Sequence, residues 1–137
     1  MRVMAESTRE VTRESAIDKY YALLDGPHPI NALGVTDGNV RFLLDTPAAT
    51  VHGEGRDDLA AYITGRNTEG LARTHHVLRR SRDNDLEFLL GEVREGGRPM
   101  GSFLAVVRET GDGKLDRYVC HFQTNLTDTA DSVEMNP

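Results

Sequence analysis

Three turn signals fall in series along the second half of the chain, and they constrain its fold more than any other feature. Arg82-Asp83-Asn84-Asp85 separates strand-like runs at 71–81 and 86–94. Glu95-Gly96-Gly97-Arg98 precedes a run at 99–109, and Thr110-Gly111-Asp112-Gly113-Lys114 precedes one at 115–125. Short Gly- and Asn-rich links between strands are hairpin turns, so the pattern predicts an antiparallel meander. A sheet with one wet face alternates cleanly between apolar and polar residues. These strands do not. Leu86, Phe88 and Leu90 alternate with Glu87, Leu89, Gly91 and Val93, and Phe103, Ala105 and Val107 alternate with Ser102, Leu104 and Val106. Both faces are therefore expected to be covered, one by helices and the other by a second copy of the chain in a homodimer.

The first half reads as helical. Ser7-Thr8-Arg9-Glu10 fits a capping box, and Val11, Ala16, Ile17, Tyr20, Tyr21, Leu23 and Leu24 follow at roughly helical spacing. A helix is predicted over 8–24, ending at Asp25-Gly26-Pro27, where glycine suits the cap and proline cannot continue the ladder. His28-Pro29 keeps the chain extended. Residues 30–39 fit no single element, and Thr36-Asp37-Gly38-Asn39 reads as a turn. Strands over 40–45 and 49–52 flank Thr46-Pro47 as a hairpin. A short helix follows from Asp57, with Leu59, Tyr62 and Ile63 on its apolar face. Helices first and a meander after describe an α+β domain. The domain is expected over 8–125, with 1–7 and 126–137 as flexible termini.

Composition narrows the partners. The 137 residues contain one cysteine, Cys120, so no internal disulfide can form. No apolar run reaches the ~18 residues of a membrane span, and the charged N-terminus lacks the core of a signal peptide. A cytoplasmic protein is expected. The net charge is −6, and the densest basic stretch, Leu78-Arg79-Arg80-Ser81-Arg82, runs straight into Asp83 and Asp85. Aromatic residues make up 6% and tryptophan is missing, so stacking platforms for nucleic acid are scarce. Neither nucleic acid nor a membrane is an expected partner. No HExxH, CxxC, phosphate-loop or GxSxG pattern occurs. His75 and His76 are adjacent on a strand and point to opposite faces, which makes them poor joint metal ligands. No metal is expected, and Cys120 reads as a small core filler.

Polar groups interrupt two of the strands. Leu71, Arg73, His75 and Val77 share one face, and Thr74, His76 and Leu78 share the other. On the last strand Leu115, Arg117, Val119, His121 and Gln123 lie opposite Tyr118, Cys120 and Phe122. An unpaired buried polar group costs about 1–3 kcal/mol. Such residues are paired, solvated, or lining a cavity.

The order of elements and three strings resemble the SnoaL-like, nuclear-transport-factor-2-like superfamily. The strings are Tyr20-Tyr21-Ala22-Leu23-Leu24-Asp25-Gly26, Gly55-Arg56-Asp57-Asp58-Leu59 and Arg73-Thr74-His75-His76-Val77. The resemblance implies a cone: a curved antiparallel sheet of about five or six strands wrapped by N-terminal helices. It implies a cavity for a hydrophobic small molecule and, with no cofactor, a lyase, isomerase or cyclase acting by proton abstraction. The same fold also serves non-catalytic ligand-binding and dimerisation modules. By resemblance to the family's dehydratases, His75 is the base and Asp25 its partner, although Asp25 also reads as a plain helix-end residue. Tyr20, five residues earlier, stands where some members hold a proton donor. Arg73, Val77, His121, Phe88 and Phe103 are expected to contact substrate. The family's later acid has no clear counterpart, Asp116 being one option, and an Asn common four residues after the histidine is Arg79 here.

Overall fold

The structure is a computed structural model that describes residues 14–66 and 72–124. The first described helix, α1 (Ala16–Leu24), turns Ile17, Tyr20, Tyr21 and Leu24 inward, the i, i+3, i+4, i+7 face of a packed helix. It begins later than the predicted 8–24. Ser15 is its N-cap in an extended conformation, and Asp18 accepts from both the Ser15 N–H (3.3 Å) and its hydroxyl (2.9 Å). Glu109 accepts from the Ala16 N–H at 2.8 Å. The capping box expected at Ser7 to Glu10 and the termini 1–7 and 126–137 lie outside the described residues. The helix ends at Asp25, as Gly26 and Pro27 predict.

A 3₁₀ helix (Pro29–Val35) fills the stretch that fitted no single element. It leads into β1 (Thr36–Asp45), β2 (Thr50–Glu54), α2 (Gly55–Gly65), β3 (Arg73–Asp83), β4 (Leu86–Glu95), β5 (Arg98–Glu109) and β6 (Leu115–Gln123). The expected turn at Thr36 to Asn39 is the start of β1 instead. Its turn chemistry is present, since Asp37 accepts from the Asn39 N–H at 2.9 Å. The kink is absorbed as an irregularity between Thr36 and Arg41, where β1 pairs with β6.

The six strands form one curved, unclosed sheet in the order β2-β1-β6-β5-β4-β3. The three meander turns fall where predicted. Asn84 at one, Gly96 and Gly97 at the next and Gly113 at the third adopt positive φ. The sheet departs from a purely antiparallel reading at one place, because β1 pairs with β6 in parallel. Hairpin signals are local, whereas this pairing joins the two halves of the chain.

One face carries Val40, Phe42, Leu44, Leu89, Val93, Phe103, Ala105, Val107, Tyr118 and Cys120, packed with Ile17, Tyr20, Tyr21 and Leu24 of α1 and Leu59 and Ile63 of α2. The other face aligns Phe88, Val106 and Val119 in one row and Leu90, Leu104 and His121 in the next. Phe88 and Leu104 there are 39% and 50% exposed. Covering by helices on one face is thus seen; a second copy on the other remains an expectation.

Candidate active site

Asp25 closes α1 and His75 lies on β3, the edge strand against which that helix end packs. The His75 backbone N–H donates to Asp25 Oδ2 at 2.7 Å, and its ring Nδ1 meets Oδ1 at 2.8 Å. A carboxylate can only accept, so Nδ1 carries the hydrogen. Both carboxylate oxygens are committed to one residue, which fixes the imidazole's position and tautomer. The lone pair of this tautomer is therefore on Nε2, which has no hydrogen-bond partner among the described residues. The pair is nearly buried, at 16% and 13% exposure.

Aromatic rings hold the imidazole from two directions. Tyr21 stacks on it, with centroids 4.4 Å apart and planes 5° apart, and Phe103 meets it edge-on at 5.6 Å. Phe103 has room because Gly91 lies opposite it. A Cβ there would fall 2.1 Å from the phenyl ring. Tyr21 and Tyr118 share a hydrogen bond of 2.9 Å between hydroxyls. Burial holds both phenols well above their ordinary range, so they are neutral.

A groove of about 360 Å³ runs between α1 and β3, lined by Asp18, Tyr21, Ala22, Asp25, His75, His76, Val77 and Arg80. The α1 contributors are spaced i, i+3, i+4, i+7, so one stripe of the helix faces it. On β3 the alternation changes phase. His75 and Val77 pair with Val93 and Gly91. After an irregularity between Val77 and Arg79, Arg80 pairs with Leu89. That puts Arg80, not Arg79, on the face of His75. Arg80 binds Asp18 through both terminal nitrogens (2.7 and 3.0 Å) and Glu87 at 2.8 Å.

The structure brings His75, Asp25 and Val77 together at the groove, packs Phe103 against the imidazole, and places the other expected site residues elsewhere. Tyr20 is 1% exposed in the core and contributes nothing to the groove lining. Five residues from Asp25 turn it inward, whereas four place Tyr21 beside the histidine. Phe103 lies behind the imidazole. Phe88 and His121 occupy the opposite face of the sheet, His121 bonded to Asp45 at 3.1 Å. Arg73 pairs with Glu95 (3.2 Å) at an exposed strand end. His76 does point to the other face, bonded to Thr74 at 2.7 Å, but it also reaches the groove, because β3 has a free edge. Asp116 is held by Arg108 through two bonds, of 2.9 and 2.7 Å. Cys120 is buried, its thiol pushed up to about 11 by that burial. Among the described residues no three His, Cys, Asp or Glu side chains gather as a metal site requires. No described helix is long and apolar enough to cross a membrane.

Helices over one face of a curved six-stranded sheet make an α+β cone of the SnoaL-like and nuclear-transport-factor-2-like fold. A candidate isomerase of the SnoaL-like family from Agrobacterium tumefaciens matches with a TM-score of 0.64 and 16% identity, over 78% of this chain and 93% of that one. A protein of ketosteroid isomerase-like fold from Catenulispora acidiphila, in complex with trimethylamine, has a TM-score of 0.64 and 12% identity, over 82% and 88%. The yeast UBP3-associated protein BRE5 has a TM-score of 0.61 and 14% identity, over 77% and 89%. No family model matches the sequence, and no curated protein does. At these identities the likeness establishes the fold and leaves the activity to the site.

Proposed function

We propose that this protein is a cofactor-independent lyase, isomerase or cyclase in which His75 takes a proton from a small organic molecule bound between α1 and β3. The observation that carries the reading is the pair of hydrogen bonds that Asp25 accepts from the Nδ1 and the backbone N–H of His75. Abstraction next to a carbonyl needs a base that works near neutral pH and a fixed lone pair. Nε2 supplies the lone pair. Asp25 stabilises the imidazolium that forms, and the Tyr21 ring holds it in plane. The lining mixes the Tyr21, Ala22 and Val77 surfaces with charged groups, which suits an amphipathic substrate better than a wholly apolar one. A cytoplasmic setting accords with the single buried thiol.

The test is deuterium exchange of α-protons in a panel of small carbonyl compounds, followed by NMR in D₂O. Wild-type protein should speed exchange of at least one compound, and His75→Ala should lower that rate by about a hundredfold or more. Exchange that survives His75→Ala would sink the reading.

A second reading, a non-catalytic binding or dimerisation module, is favoured by the apolar outer face around Phe88 and Leu104. The two separate cleanly: a module binds ligand in the groove without exchanging its protons.

A further inference from the structure

α1 is attached to β3 twice. Asp25 holds His75 at the helix's C-terminal end. Seven residues earlier, on the same stripe, Asp18 holds Arg80. We infer that Arg80 is a positioning residue for the His75–Asp25 pair. By clamping Asp18 it fixes where α1 lies along β3, and so where Asp25 meets the imidazole. This rests on the role proposed above for that pair.

The second attachment is rigid for chemical reasons. The guanidinium gives both terminal nitrogens to the two Asp18 oxygens, a fork that resists rotation as well as sliding. The same group is tied to the sheet by Glu87, which is buried and takes a further bond from Arg82 at 3.4 Å. Ser15, the helix cap, donates its hydroxyl to the same Asp18 Oδ2 and accepts from Arg80 at 3.4 Å. The chain of contacts therefore runs from β4 through Arg80 to the first turn of α1. Seven residues of helix span ~10.5 Å, so the two attachments are far enough apart to set the direction of the axis. Apolar packing by itself tolerates small slides, whereas a base and its carboxylate must hold their geometry to a fraction of an ångström. The clamp also depends on the β3 irregularity, without which residue 80 would face away from α1.

The experiment follows the Nδ1 proton of His75 by ¹⁵N-edited NMR on the full chain, together with thermal melting. Wild-type protein should show a protonated, slowly exchanging Nδ1. Arg80→Met, and the milder Asp18→Asn should the first fail to fold, should speed exchange of that proton by about tenfold or more as the pair loosens. Arg108→Met, which removes the two bonds to Asp116 and touches neither α1 nor Glu87, should leave exchange unchanged even where its melting temperature falls comparably. The inference is overturned if Asp18→Asn and Arg80→Met keep the wild-type exchange rate, or if Arg108→Met speeds it equally. Wild-type protein with no proton on Nδ1 would overturn the inference and the proposed chemistry together. A bonded Nδ1 indifferent to Arg80 would overturn the clamp alone.

Discussion

At the scale of single residues, Tyr20 and Tyr21 show what adjacent phenols can do when one position changes their surroundings. Tyr20 is packed edge-on against Tyr118 in the core, whereas Tyr21 stacks on His75 and bonds the Tyr118 hydroxyl. Tyr21→Phe keeps the stack and strands the buried Tyr118 hydroxyl, so it should cost about 1–3 kcal/mol in urea unfolding. Tyr20→Phe should leave any proton-exchange activity within about twofold, a measurement that separates a core phenol from a proton donor. Of the candidate site, both members of the His75–Asp25 contact were legible because the motif strings carry them. Tyr21 was within reach, since counting back four from Asp25, the helical interval, lands on it. Phe88 and His121 lie on the face opposite His75, which sequence does not reveal, because alternation says only which residues share a face within one strand. It does not say which faces of different strands coincide, and that is set by long-range register.

At the scale of elements, the join between α1 and β3 has a pH signature. Asp18 is held below its ordinary 3.8: burial pushes it up, but bonds from Arg80 and Ser15 and the Arg80 charge outweigh that. A carboxyl with a depressed folded pKa stabilises fully above its unfolded value and loses that contribution as pH falls through the folded one. Melting temperature should therefore drop below about pH 4, with a shallower drop in Asp18→Asn. β4 offers a steric counterpart. Gly91→Ala would drive a methyl into the Phe103 ring behind His75 and should destabilise the fold by about 1–3 kcal/mol in denaturant titration. The meander was readable from turn residues alone, as was the end of α1. The parallel β1–β6 pairing and the β3 irregularity were not, because neither leaves a mark in local periodicity.

At the scale of the whole molecule, the outer face bears on assembly. Phe88, Leu90, Leu104, Val106 and Val119 make an apolar bed on the side the described helices leave bare. Leu104→Asp should convert a sedimenting dimer to monomer at micromolar concentration without lowering the melting temperature of the monomer. A wild-type protein that sediments only as monomer would count against the pairing. The other boundary of the sheet poses a different hazard. β3 is an edge strand, and edge strands present N–H groups that foreign strands can zip onto. Asp25 occupies one of these groups, the His75 N–H, with the same carboxylate that orients the ring. Removing that side chain uncovers a docking point for intermolecular β-pairing, one that loss of the imidazole would leave covered. Asp25→Ala should thus form fibrillar or amorphous aggregate on mild heating sooner than His75→Ala, so that one carboxylate shields a strand edge as well as orienting a ring.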